Sequence, residues 1–196
     1  MGETFICERL NPDLDLVVPN NALKTAQRLA DKLQGKCIIL DQQRDIARLV
    51  IRKWTIDIAA QNGENLYEDL NKRDFTINAI AIILKPSPHI YDPLDGSKDL
   101  RSKELIAIKE KNLIQDPLRL LRGIRIMAET EFELNTQTKA WITKHHQILS
   151  EVSPERIQCE IKKLVEASSA ERAFPLLMES GLLSPWKSFE SNLSSS

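Results

Sequence analysis

The period of the apolar residues changes along this chain, and that change constrains the fold more than any other feature. Up to residue 59 the apolar residues come in short β-branched runs, one within Asn11-Pro12-Asp13-Leu14-Asp15-Leu16-Val17-Val18-Pro19 and three more at 37–40, 46–51 and 54–59. Side chains alternate across a strand with period two and recur on a helix with period 3.6, so these runs predict strands, and their tight spacing predicts a meander. One amphipathic stretch interrupts them: Ala22, Leu23, Ala26, Leu29, Ala30 and Leu33 line one side of a helix, with Gly35 as its stop. From Asp116 onward the spacing is helical throughout, predicting helices over about 116–129, 136–149, 154–167 and 169–180. The expected class is α+β, a mixed sheet followed by an all-helical part.

Local signals refine this outline. Residues 64–70 are polar and helix-prone, and the apolar part of 71–83 is continuous enough to predict a buried strand. Tyr91-Asp92-Pro93-Leu94-Asp95-Gly96 has turn chemistry, and 105–108 predicts a further strand. Asp116-Pro117 and Ser153-Pro154 each place a capping residue before a proline, which the first helical turn accepts because its missing N–H has no intrahelical partner there. Gly181 is expected to end the last helix, Pro175 to bend it, and the serines of 188–196 to fray.

With 196 residues, 42% hydrophobic and 28% charged, the chain can bury a core and form one or two compact domains. Its net charge of -1 neither favours nor excludes a nucleic-acid partner, so local patterning must decide. Cys7, Cys37 and Cys159 are odd in number and widely spaced, which argues against a disulfide framework or structural zinc and for a reducing, cytoplasmic setting. No apolar run approaches the length of a membrane span, so no membrane partner is expected.

Three groups of residues carry chemistry. Asp13 and Asp15 lie two apart in a predicted strand and project to one face, where like charges repel unless a cation sits between them. Oxygen-only ligation suits magnesium; the alternative is an exposed strand start with two solvated acids. Asp57, flanked by Ile56 and Ile58, is either a third metal-facing carboxylate on a neighbouring strand or an outward-facing edge residue. At the start of the helix opened by Asp116-Pro117, Arg119, Arg122 and Arg125 recur every third residue beside a core stripe of Leu120, Leu121, Ile124, Met127 and Ala128. Such a face suits a phosphorylated, hydrogen-bonding ligand, or is simply a solvated basic side. His145 and His146 are adjacent on a helix, point in different directions and make poor metal ligands.

Five blocks together resemble a known family. Asp13-Leu14-Asp15, Lys72-Arg73-Asp74-Phe75-Thr76-Ile77-Asn78-Ala79-Ile80-Ala81, Asp92-Pro93-Leu94-Asp95-Gly96, Asp116-Pro117-Leu118-Arg119-Leu120-Leu121-Arg122 and Ser153-Pro154-Glu155-Arg156-Ile157 occur in the order and spacing of class II CCA-adding enzymes and the related bacterial poly(A) polymerases. The resemblance implies a polymerase-beta-like nucleotidyltransferase head over 1–110, a helical neck over 111–183 and a disordered tail over 184–196. It implies that Asp13 and Asp15 hold Mg2+ and that Arg73, Asp74 and Asn78 handle ribose and phosphates. It further implies that Asp116 and Arg119 read the base, that Arg122 and Arg125 bind the nucleotide, and that Glu155 and Arg156 brace the reading helix.

The base-reading role agrees with elementary chemistry. Cytosine and adenine each present an exocyclic amine donor beside a ring-nitrogen acceptor, and uracil and guanine reverse that polarity. A carboxylate only accepts and a guanidinium only donates, so an Asp/Arg pair admits C and A and leaves groups unpaired against U and G. The implied activity is transfer of CMP or AMP from CTP or ATP to the 3′ end of tRNA or another RNA. A poly(A) polymerase, a remnant that only binds nucleotide or RNA, and an enzyme that adenylates a small molecule are the alternatives, the last leaving Asp116 and Arg119 unexplained. Two departures stand out. Met1 to Asn11 holds a single glycine, Gly2, where the family has a Gly-Gly and Arg-Asp motif, and the chain stops soon after Gly181, so the expectation is a head and neck truncated at both ends and lacking the first strand and helix. Gln115 also replaces a glutamate common before the template aspartate.

Overall fold

The computed structural model describes residues 13–184; the turn at Asn11-Pro12, the segment ahead of it and the serine-rich tail lie outside the described residues. Two compact units are present, one through Asp69 and one from Leu70. The first holds β1 (Asp13–Val18), α1 (Ala22–Leu33), β2 (Lys36–Asp41), β3 (Ile46–Ile51) and β4 (Trp54–Ala60). Their sheet runs β1-β4-β3-β2, with β2, β3 and β4 forming the expected antiparallel meander and β1 parallel to β4. Helix α1 lays Ala22 and Ala26 against Ala47 and Ile58 on one face of the sheet. Its end differs in detail from expectation: Gln34 takes the left-handed conformation at φ 53°, and the Gly35 N–H bonds to the Ala30 carbonyl. A Cβ on Gly35 would stand 2.9 Å from the Val50 carbonyl oxygen, so close backbone approach explains the glycine. At the other end the Asp45 carboxylate accepts the Ala22 and Leu23 N–H groups, each at 2.8 Å, a cap supplied from the β2–β3 turn.

The chain passes through α2 (Leu66–Asn71) into the second unit, which contains β5 (Ala81–Ile83), β6 (His89–Tyr91), α3 (Gly96–Ser102), β7 (Glu104–Leu105) and α4 (Glu110–Gln115). After these come α5 (Leu118–Thr130), β8 (Glu133–Leu134), α6 (Thr136–Lys144), α7 (Pro154–Val165) and α8 (Ala170–Ser180). The buried strand expected within 71–83 does not form. Residues Thr76–Asn78 are a 3-10 turn, the strand is cut to Ala81–Ile83, and Ile82 is 63% exposed. Side-chain hydrogen bonds won over apolar propensity here: Asp74 Oδ1 accepts the Phe75 N–H and the Asn78 amide, and Thr76 donates to Asp99 at 2.6 Å.

The predicted helices are present with shifted boundaries. Asp116 is extended at φ -136°, as a residue before proline tends to be, and it separates α4 from α5. The α6 segment gives way to a 3-10 turn over His146–Glu151, and Gly181 ends α8 in the left-handed region. Helix α3 was not signalled; the Asp92 carboxylate creates its start by accepting the Gly96 and Ser97 N–H groups at 2.8 Å. A Cβ on Gly96 would stand 2.2 Å from the Thr76 carbonyl oxygen, so this turn tolerates glycine alone. The core of this unit gathers Phe75, Leu113, Leu120, Leu121, Ile124, Met127, Ile142 and Leu164, with α5 at its centre.

Candidate nucleotide and metal site

In the first unit, Asp13 pairs with Thr55 and Asp15 with Asp57 across the parallel β1–β4 ladder, and Arg48 pairs with Asp57 across β3–β4. Registered neighbours project to the same face, so Asp13, Asp15, Asp57 and Arg48 share one face of the sheet, opposite α1. Asp13 and Asp15 are exposed. Asp57 gives both of its oxygens to Arg48, accepting from Nε at 2.7 Å and from Nη2 at 2.8 Å. Among the described residues no three His, Cys, Asp or Glu side chains converge as a metal cage. The donor set still fits a hard cation. Two exposed carboxylates on one face, with no thiolate or imidazole, match magnesium, which takes one or two carboxylates and fills its shell with water and phosphate oxygens.

In the second unit, Asp74, Asn78, Asp116, Arg119 and Arg122 gather around the start of α5. Asp74 is 5% exposed; beyond its two bonds on Oδ1, its Oδ2 lies 3.0 Å from Arg122 Nε. Arg119 is anchored through Nη1, which donates to the carbonyls of Lys72 and Asn112 at 2.9 and 3.1 Å. A guanidinium has five N–H donors, so this anchor is compatible with donation to a base from the others. Asn112, a buried residue that sequence reasoning missed, completes the scaffold by donating to the Asn71 and Arg73 carbonyls. A polar residue among the apolar positions of 112–114 was its only signal.

Two expectations change. Asp116 does not cap α5 with its side chain; Pro117 occupies that position without a side-chain cap, and the Asp116 oxygens instead accept from Arg156 Nη2 of α7 at 3.1 and 3.2 Å. Pro117, which has no side-chain acceptor, takes the capping position one residue later than expected, and the extended backbone before it turns the Asp116 side chain away from the helix. Ser153 likewise starts α7 without a side-chain cap. Arg125 continues the arginine row in sequence, yet it is 9% exposed and ion-paired with Glu129 on its own helix and with Glu160 on α7, the latter at 2.6 Å. Burial works against its charge, and the two glutamates outweigh burial and raise its pKa. The two pairs engage its Nε and Nη1, so of its five N–H donors those on Nη2 could still meet a ligand. The row of three is thus split by the packing of α5 on α7.

Residues 5–106, more than half of the chain, match the family described as the poly A polymerase head domain. The chain belongs to that family. Residues 131–190 match a second family, described as the probable RNA and SrmB-binding site of polymerase A. A CC-adding tRNA nucleotidyltransferase of Synechocystis sp. is 37% identical over 183 residues, 93% of this chain and 44% of the relative. One from Geobacter sulfurreducens is 33% identical, covering 83% of this chain and 38% of the relative. The Thermotoga maritima CCA-adding enzyme complexed with tRNA CCA superimposes with a TM-score of 0.80 at 28% identity, over 88% of this chain and 43% of that one. The chain therefore spans less than half the length of these relatives. The polymerase-beta-like fold expected from the sequence, a mixed sheet with a helical neck, is the one these family members share. Among the described residues no helix is long and apolar enough to cross a membrane.

Proposed function

We propose that this chain carries the nucleotidyl-transfer centre of a tRNA nucleotidyltransferase, adding C, and A where its context allows, from CTP and ATP to an RNA 3′ end. The observation that carries this is the Asp116/Arg119 pair at the start of α5, held by Arg156 on one side and by the Lys72 and Asn112 carbonyls on the other. C addition is favoured because three relatives bear the name CC-adding tRNA nucleotidyltransferase. In the reaction the RNA 3′-oxygen attacks the α-phosphorus, a P–O bond forms, the bond to the bridging oxygen breaks and pyrophosphate leaves.

Asp13 and Asp15 are the residues that would hold magnesium. When bound there, Mg2+ supplies Lewis acidity at the attacking hydroxyl and charge neutralisation at the triphosphate. Asp116 accepts from the exocyclic amine of cytosine or adenine and Arg119 donates to the ring nitrogen. A carboxylate has about four lone-pair sites, so the Arg156 contact leaves capacity for the base. Arg122, fixed by Asp74, and Arg73 meet phosphate oxygens, while Asp74 and Asn78 place the ribose. A wrong base leaves unsatisfied groups at roughly 1–3 kcal/mol each, a discrimination of roughly 5- to 150-fold per group.

The deciding experiment supplies a tRNA lacking its CCA end, magnesium and one labelled nucleotide at a time. CTP should be incorporated, with UTP and GTP at least tenfold lower by the roughly 1–3 kcal/mol argument. Incorporation of UTP as readily as CTP would refute the base-reading assignment, and CTP binding without extension would refute transfer by this chain.

A further inference from the structure

Arg48 has no counterpart among the residues assigned above, and its geometry is specific. Its Nε and Nη2 meet the two Asp57 oxygens as a fork at 2.7 and 2.8 Å, on the face shared with Asp13 and Asp15. Arg48 is 43% and Asp57 29% exposed at the side chain, and neither belongs to the small apolar cluster beneath α1, so packing does not require the pair. The Arg48 pKa is raised, chiefly by the hydrogen bond to Asp57 and against the effect of burial, with the charges of Asp57, Asp13 and Asp15 adding to it. Its charge therefore belongs to the field of all three acids.

We propose that Arg48 is a positioning residue of the acidic face: by occupying both oxygens of Asp57 it keeps that carboxylate out of direct metal coordination, leaving a two-carboxylate site of Asp13 and Asp15. The proposal rests on the reading of Asp13 and Asp15 as magnesium ligands. In coordination terms Asp57 is an outer-sphere group, and the Arg48–Asp57 pair adds almost no net charge to the site. A site of this kind binds a divalent ion more weakly than one of three free carboxylates, as suits an ion that arrives with a triphosphate.

Mn2+ serves as the probe for magnesium, titrated into the whole 196-residue chain and followed by the loss of its free electron paramagnetic resonance signal. Arg48→Gln frees an anionic Asp57 and should tighten Mn2+ binding several-fold. Asp57→Asn strands a positive Arg48 beside Asp13 and Asp15 and should weaken binding several-fold. The double variant removes both charges and should return to about the wild-type affinity by charge balance. Circular dichroism melts establish that each variant is folded, and a structural role for the pair would move the melts without producing opposite, cancelling shifts in affinity. If Arg48→Gln leaves Mn2+ binding unchanged or weaker, or if the double variant matches Asp57→Asn, Asp57 is a direct ligand or irrelevant and the proposal is overturned. Wild-type protein that binds no Mn2+ overturns it as well. Failure of the nucleotidyl-transfer reading alone has a different signature, namely the expected Mn2+ pattern with no extension of the RNA.

Discussion

Asp116 carries the sharpest residue-scale test. Its carboxylate bonds Arg156 instead of capping α5, so the stability and selectivity effects of changing it separate. Asp116→Asn should leave thermal stability within about 1 kcal/mol, because the ion pair it weakens is solvent-exposed. An amide presents both a donor and an acceptor, so the same variant should raise UTP incorporation relative to CTP by about tenfold, within the roughly 1–3 kcal/mol that a mispaired group costs. Competition between labelled nucleotides reads this ratio directly; an unchanged ratio would return Asp116 to a purely structural role. Arg119→Lys tests its partner, since an ammonium has no planar fork with which to grip two carbonyls and still face a base. Extension by CTP should fall while folding is retained. Both residues were legible in the sequence as one helix face. The family resemblance already pointed to Arg156 as a brace of the reading helix, but Asn112 and the Lys72 carbonyl were not legible, because one lies seven positions away and the other is a backbone group 47 positions away.

Among the elements, α5 is held to α7 by a buried charge cluster of which Arg125 is the centre. Arg125→Met leaves Glu160, 7% exposed, with only Lys163 at 4.0 Å as a counter-charge and should cost about 3 kcal/mol in urea unfolding. Arg125→Met with Glu160→Met should recover most of that loss, because apolar replacement of a whole buried pair is often neutral. A CTP affinity that falls in both variants alike would show that Arg125 itself meets the nucleotide. The start of α3 supplies a pH test. Burial works to raise the Asp92 pKa, but the Ser97 side chain, the Ser97 and Gly96 N–H groups and the charge of Arg101 outweigh it, and the net shift is downward. A depressed carboxyl pKa stabilises the fold above its unfolded value and loses that contribution as pH falls through the native one. Stability should therefore decline below about pH 4, and Asp92→Asn should flatten that part of the pH curve while costing about 1 kcal/mol at neutral pH through the weakened cap. The turn itself was readable from Pro and Gly. The helix behind it was not, since 96–102 has no apolar period and its start depends on the Asp92 carboxylate four positions upstream.

At the scale of the molecule the two units have unlike cores. The first buries mostly alanine around Leu49 and Ile58, whereas the second buries Phe75 and a set of leucines, isoleucines and methionine about α5. A buried leucine contributes about 1.5–3 kcal/mol against roughly 0.8 per methylene-sized group, so the first unit is the weaker. Amide hydrogen exchange should show β3 and β4 opening at lower free energy than α5; equal protection would contradict this. Sequence alone determined the α+β class, the meander, the α1 helix and the arginine-bearing α5, because period-two and period-3.6 burial are local properties written in residue order. It also placed the acids two apart on one strand, since strand geometry dictates a shared face. Tertiary structure decided which charges meet. Arg48 forks onto Asp57, Arg156 takes Asp116, and Glu160 removes Arg125 from the open face, because ion pairs between elements depend on register and packing that no local pattern encodes.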